Sequence, residues 1–310
     1  MSSASVAASR PEGPRQEWRH PRTRVLRGCH DGAAWELWLR QPPPALAHLF
    51  RQLWAGDSQG GPARHRSVPD GELWLEFNLG VPQRVTGARG QPDGGETFGA
   101  ALVTGLQDAP LTFVSLHRHP RVVGARLHPR GALAFFGGLP LEELAHRAID
   151  LESALGGFAG VEPLRQRLVE TADLGAALEL LEQWLVARLL AGPSPHPLTC
   201  AALERLDARE RDLRIEPLAR ELGVSVRYVH RLFRREVGFP VKAFARVRRF
   251  QRALDRLIAR RGRDLASVAG DCGYYDQAHM NRDFRELAGL TPTECLARVF
   301  QVDGWREIGG

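Results

Sequence analysis

Cysteine is scarce in this chain, and the four present, Cys29, Cys200, Cys272 and Cys295, form no C-x-x-C pair. That spacing excludes a disulfide framework and a thiolate zinc site, and it fits a reducing cytoplasm. Lysine is scarcer still. Lys242 is the single lysine, so arginine supplies 41 of the 42 basic residues. No apolar run approaches the roughly 20 residues that cross a bilayer. The opening stretch, MSSASVAASRPEGPRQEWRHPRTR, has no secretory apolar core. Rich in Ser, Pro and Arg, residues 1–24 read as a disordered basic tail. A Gly-rich phosphate loop, a nucleophile elbow, a paired-carboxylate site and any cofactor motif are also missing, and Gly94-Gly95 reads as a turn. These absences point away from an enzyme.

What is present is a charge asymmetry. Residues 198–300 carry 21 Lys and Arg against 14 Asp and Glu, a net of +7, whereas the rest of the 310 residues carries −1. Within 227–263 there are 13 basic residues and two acids, Glu236 and Asp255. A basic surface confined to one part of a chain is the footprint of a polyanion partner. A solvated charged face is the plainer alternative.

The pattern along the chain gives two domains. From about 25 to 127 short apolar runs such as 72-ELWLEFNLG-80, 112-TFVSL-116 and 121-RVVGARL-127 alternate or cluster as strands do, with Pro69-Asp70-Gly71 and Pro129-Arg130-Gly131 as turns. A short helix is expected at 140–148. A stronger one covers 173–190, capped by Asp173, with Leu174, Leu178, Leu181, Leu185 and Leu189 in one stripe and Trp184 beside it. The stripe is wide enough for a homodimer seam as well as for packing within the chain. Residues 191–197, AGPSPHP, cannot continue a helix and read as a linker. Residues 198–300 are helical in pattern, and 301–310 form a C-terminal tail.

The helical third repeats itself. Ala219 and Gly223 in 215-IEPLARELGVSVRYVHRLFRREVGFP-240 match Ala269 and Gly273 fifty residues on, and Phe233 and Gly238 match Phe284 and Gly289. Each copy reads as a helix, a glycine turn and a second helix, within about 215–235 and 265–286. The second helix is anchored by the phenylalanine and open on its other face. This is the helix-turn-helix plan, whose second helix enters the major groove. Residues 241–262 read as a rigid connector helix, so that two recognition helices could reach successive grooves roughly 34 Å apart.

The stretch 272-CGYYDQAHMNRDFRELAGLTPTECL-296 resembles the signature of the AraC/XylS family of bacterial transcription regulators, and the resemblance spans 198–300. It implies an all-α double helix-turn-helix domain behind a β-rich (α+β, cupin-like) sensor or dimerisation domain at 25–190. It also implies a cytoplasmic regulator whose partners are double-stranded DNA, RNA polymerase, a small-molecule effector and a second copy of the chain.

Ser225 is placed as the cap of the first recognition helix, about 225–235, with Val229, Leu232 and Phe233 inward. Family geometry then implies base contacts by Arg227, His230 and Arg231. On the second helix, about 276–286, Asp276 caps, Met280 and Phe284 are core, and Gln277, His279, Asn281 and Arg282 are the candidates for bases. Arginine donates bidentately to guanine O6 and N7. Ser225, Arg234, Arg235, Lys242 and Asp276 are assigned to the DNA backbone, which positions without specifying. An ion pair to Asp283 or Glu286 is the alternative for Arg282.

Three other readings stand beside this one. His117-Arg118-His119 gives an H-x-H that a metal-binding cupin-type enzyme could use, but 120-PRVVGARLH-128 lacks the glutamate such a site adds, so no metal ligand is assigned. An alkyl-transfer repair module needs clustered thiolates, and residues 1–197 hold Cys29 alone. The third reading is a ligand-independent regulator whose N-terminal domain only dimerises.

Overall fold

Alternating apolar and polar residues, broken by Gly, Pro and Asp turns, make the first part of the chain a two-sheet structure. The computed structural model describes residues 15–30, 33–58, 64–116, 120–157, 160–208, 215–221, 223–302 and 305–309. In chain order the strands begin with β1 (Arg15–His20), β2 (Thr23–His30), β3 (Ala33–Arg40), β4 (Phe50–Ser58), β5 (Arg64–Ser67) and β6 (Leu73–Asn78). There follow β7 (Gln83–Thr86), β8 (Glu96–Phe98), β9 (Ala101–Thr104), β10 (Leu111–Ser115) and β11 (Arg121–Leu127). Helix α1 (Pro129–Phe135) comes next, then β12 (Ala148–Asp150), α2 (Leu151–Ala154), α3 (Val161–Glu170) and α4 (Leu174–Ala191).

One sheet has the order β1-β2-β3-β4-β11-β6-β9-β12, and the other sets β5, β10, β7 and β8 side by side. The period of two divides each strand between two environments. Leu53, Ala55, Leu75, Phe77, Val103, Val123 and Ala125 join the core that also holds the helices. The opposite face looks at the second sheet, where Leu102 and Ala148 meet Val85, Phe98, Leu111 and Phe113.

The helical part contains α5 (Pro197–Asp207), α6 (Ile215–Glu221), α7 (Val226–Val237), α8 (Val241–Ala259), α9 (Leu265–Asp271), α10 (Gln277–Ala288) and α11 (Pro292–Arg298). A short hairpin, β13 (Val299–Val302) and β14 (Trp305–Gly309), ends the described chain. The architecture is therefore a β-rich N-terminal region followed by a helical helix-turn-helix region. One buried apolar cluster runs through both, from Val25 to Cys295.

Several expectations are corrected. The tail expected over 1–24 contains β1 and the start of β2 within its described part, Arg15 onward, because those residues pair in a ladder from Arg15↔Arg27 to His20↔Thr23. The tail expected at 301–310 contributes to a strand pair, with Ile308↔Arg66 joining β14 to β5. Composition cannot show a partner strand so remote in sequence. The helix expected at 140–148 shrinks to a 3₁₀ turn at Leu141–Glu143, after which Ala148 enters β12.

The stripe on α4 is also settled by burial. Leu178, Leu181 and Leu185 are 0% exposed within a single chain, and Trp184 sets its ring edge-on to Phe77 and Phe135 at 5.7 and 5.4 Å. The leucines are intrachain core, so they cannot be the seam of a dimer. Asp173 does cap the helix, accepting the Ala176 N–H at 2.7 Å.

Candidate nucleic-acid interface

The two repeated units fold alike down to single hydrogen bonds. The Val224 N–H reaches the Ala219 carbonyl at 2.9 Å, and the Tyr274 N–H reaches that of Ala269 at 3.0 Å. Gly223 and Gly273 sit at φ 64° and 81°, a left-handed bend that a side chain would oppose. Ala219 and Ala269 are both buried, which lets the paired helices approach. Ser225 Oγ accepts the Tyr228 N–H at 3.2 Å, and Asp276 Oδ1 accepts the His279 N–H at 2.6 Å, so each second helix starts on a side-chain cap.

Both second helices are anchored on α8. The ring of Phe233 meets Phe244 at 5.8 Å and 70°, and Phe284 meets Phe250 at 4.7 Å and 66°. Edge-to-face pairs of this kind add to the burial of both rings. Val229, Phe233 and Val237 face inward from α7, and Met280, Phe284, Leu287 and Ala288 from α10. Leu232, expected inward, is half-buried.

The outer faces carry the assigned residues. On α7, Arg227, Arg231, Arg234 and Arg235 are exposed and His230 is half-buried; Ser225 and Lys242 are exposed beside them. Arg231 lies over the Tyr228 ring at 5.4 Å. On α10, Arg282 is exposed, whereas Gln277, His279 and Asn281 are half-buried. His279 leans on the Tyr274 ring at 5.2 Å and sits 3.5 Å from Arg249 Nη2. The buried Asn281 Oδ1 has no hydrogen-bond donor. Asp276 uses its carboxylate as the cap and offers a phosphate no side-chain donor.

The arginines fall into two classes. Most of those on α8 are paired: Arg246 and Arg249 reach Asp283 at 2.8 and 2.9 Å, Arg246 also bonds Glu286, and Arg256 reaches Asp271 at 2.9 Å, while among the described residues Arg252 has no acid beside it. These pairs take up both acids that the sequence offered to Arg282. Among the described residues Arg227, Arg231, Arg234, Arg235, Lys242 and Arg282 have no acidic partner. Sequence reasoning missed Tyr275, which is 94% exposed at the entry to α10 while its neighbour Tyr274 is buried under Arg249.

A second ionic cluster lies away from this face. Arg51 reaches Glu72 at 3.2 Å and Asp207 at 3.1 Å; Arg248 reaches Asp207 at 2.8 Å; His128 Nε2 lies 3.3 Å from Asp207. Burial, opposed by Arg51 and Arg126, raises the Glu72 carboxyl to about 7. Burial also lowers the His128 imidazole to about 4, against its hydrogen bond to Asp207. Asp207, though burial works against it, is held well below the carboxylate range by His128 and Arg248. Nothing in the local sequence marks these residues, since the partners lie up to 156 positions apart. His117 and His119 lie outside the described residues.

A family described as a helix-turn-helix domain matches residues 218–298, and a domain of unknown function, DUF6597, matches residues 40–150. The chain is 30% identical to a probable AraC family transcriptional regulator of known structure from Rhodopseudomonas palustris CGA009, over 33% of this chain and 97% of that one, at a TM-score of 0.30. The chain belongs to the AraC/XylS family. Its similarity to the HTH-type transcriptional regulator GlxA of Rhizobium meliloti (strain 1021) is 27% over 156 residues, 46% of this chain. It spans about half the length of that curated relative, 48%. Unsaturated fatty acid bound wild-type ToxT from Vibrio cholerae strain SCE256 is 10% identical over 80% of this chain and 93% of that one, at a TM-score of 0.42. Among the described residues no helix is long and apolar enough to cross a membrane.

Proposed function

We propose that this chain is a sequence-specific DNA-binding transcription regulator that works in the cytoplasm and reads two successive major grooves with α7 and α10. One observation carries the reading. Arg246, Arg248, Arg249 and Arg256 of the connector α8 are paired with acids within the protein, while among the described residues the arginines on the outer faces of the two capped helices have no acid beside them. Cations left in this way on a helix face suit phosphates and guanine edges. Arg227, His230 and Arg231 are assigned to base edges on α7, and Gln277, His279, Asn281 and Arg282 on α10. Ser225, Arg234, Arg235 and Lys242 are assigned to phosphates, and Asp276 orients its helix as the cap.

A small ligand between the sheets belongs to the same reading. Asn78 and Gln83 are 0% and 2% exposed, and each has a side-chain carbonyl oxygen without a donor. A buried acceptor left alone costs ~1–3 kcal/mol, so a donor reaching either oxygen would be favoured. For a second copy of the chain, the outer edge of α4 offers an exposed apolar residue in Leu190, 68% exposed.

The test is selection of a binding site by the full chain from random duplex DNA, followed by affinity against salt. Log affinity should fall linearly with log salt as counterions leave the phosphates, with a slope of about −0.9 per phosphate contacted. Affinity that ignores salt contradicts the reading.

A further inference from the structure

The connector α8 does more than join two units; it is gripped at its middle by one loop of the β-rich part. The stripe Phe244, Arg248 and Gln251 lies on one face of α8, at the i, i+4, i+7 spacing. Gln251 donates its side-chain N–H to the Pro69 carbonyl, and Arg248 Nη1 donates to the Asp70 carbonyl at 3.4 Å. The backbone at Gly71 runs so close that a Cβ there would lie 3.2 Å from Arg248 and 3.3 Å from Phe244. Glu72 Oε1 lies 3.8 Å from Arg248 and 3.2 Å from Arg51. Four consecutive residues, 69–72, therefore touch the same face of one helix.

The loop is in turn tied to the inner face of the sheets. Asp70 Oδ2 accepts from Trp74 Nε1 at 3.0 Å and from Arg126 Nη2 at 2.9 Å, and its Oδ1 accepts the Glu72 N–H at 2.9 Å. Arg126 lies over the Trp74 ring at 5.2 Å. A cavity of about 10 Å³ borders Asp70, Glu72, Trp74, Thr104 and Leu111, room for about one water. Inner-face side chains, loop and helix thus form one continuous set of contacts. Phe244, at the end of it, is the residue on which recognition helix α7 is anchored.

We propose that loop 69–72 positions α8, and that Asp70, Glu72 and Arg248 thereby fix the spacing at which the two recognition helices meet DNA. None of the three touches DNA. The inference rests on the two-groove reading above and adds the residues outside the DNA-binding surface that set its geometry. Arg248 is suited to the role because one guanidinium bridges Asp207, Glu72 and the Asp70 carbonyl, a fork that a lysine could not reproduce.

The experiment uses the full chain at pH 8, the duplex site selected by the wild type, and the same site with two base pairs inserted between its halves. The wild type should prefer the unaltered site by about tenfold or more. In Arg248→Met and Glu72→Gln that preference should shrink to about twofold, because a loosened α8 accommodates either spacing. The salt slope should stay unchanged, since no phosphate contact is lost. A purely structural role would lower affinity for both sites together and keep their ratio. That result, or wild-type discrimination in a Glu72→Gln protein that melts cooperatively, overturns the inference. Glu72→Gln is isosteric, so it decides the matter should Arg248→Met fail to fold. A wild type that selects no site overturns the two-groove reading itself, and the inference with it.

Discussion

The two helix-turn-helix units share a backbone but not a support. In the second unit, Asp283 on α10 is buried between Arg246 and Arg249, so α10 is bound by charge to the connector α8. Among the described residues the first unit has no such brace between its recognition helix and α8. Its recognition helix α7 rests instead on the β-rich part, against α1 and the 3₁₀ turn at Leu141–Glu143, and a Cβ at Gly238 would lie 2.9 Å from the Leu141 carbonyl. The same motif is thus fixed within its own domain in one copy and by the neighbouring domain in the other. The first unit thus meets the N-terminal part along its recognition helix, whereas the second meets it at the end of α10, beside Arg66, and by way of α8.

The comparison can be broken at its shared element first. Phe233→Ala and Phe284→Ala each remove a fully buried ring facing α8, and each should cost about 3–5 kcal/mol by denaturant titration. Loss in one unit only would mean that the other anchor is dispensable.

The boundary of the first unit should answer to pH. The raised Glu72 carboxyl contributes stability that is present near 4.5, its ordinary value, and lost as pH rises toward 7. The lowered His128 imidazole contributes stability that is present above its ordinary 6.5 and lost as pH falls toward 4. Between these values the two trends oppose, and wild-type stability should be nearly flat from pH 5 to 6.5. Glu72→Gln removes the first trend, so its stability should climb by about 1–2 kcal/mol over that range. Parallel curves for the two proteins would refute the assignment.

A smaller effect sharpens the contrast in support. Gly238 and Gly289 end the two recognition helices at φ 95° and 69°. A Cβ at Gly238 meets the fixed Leu141 carbonyl, whereas one at Gly289 meets the movable end of Arg66. Gly289→Ala should cost about 1 kcal/mol for the backbone alone, and Gly238→Ala about 1 kcal/mol more, read from thermal unfolding. Equal costs would say that the first unit is not pressed against the N-terminal part.

Local elements were legible because their causes are local. The helices expected at about 225–235, 276–286 and 173–190 are Val226–Val237, Gln277–Ala288 and Leu174–Ala191, since caps and a 3.6-residue period mark them. The duplication was legible from small residues and phenylalanines at fixed offsets. What covers an apolar stripe was not, and the α4 leucines that looked fit for a partner chain meet the chain's own core. Ionic clusters were hidden for a related reason: Arg51 and Asp207 are 156 positions apart, and only the fold brings them together. Which basic residues are spent inside the protein was hidden likewise: Arg246, Arg248, Arg249 and Arg256 are paired with acids, while among the described residues Arg227, Arg231, Arg234, Arg235 and Arg282 are not.

That division is tested most directly by the base preferences of three variants, measured on the selected site and on its single-base changes. Arg227→Ala and Arg231→Ala should relax preference at particular positions, by about 1–3 kcal/mol each. Arg235→Ala should weaken every sequence alike and lower the salt slope by about 1. The same uniform loss from all three would contradict the account, because α7 would then face the DNA backbone and not its bases.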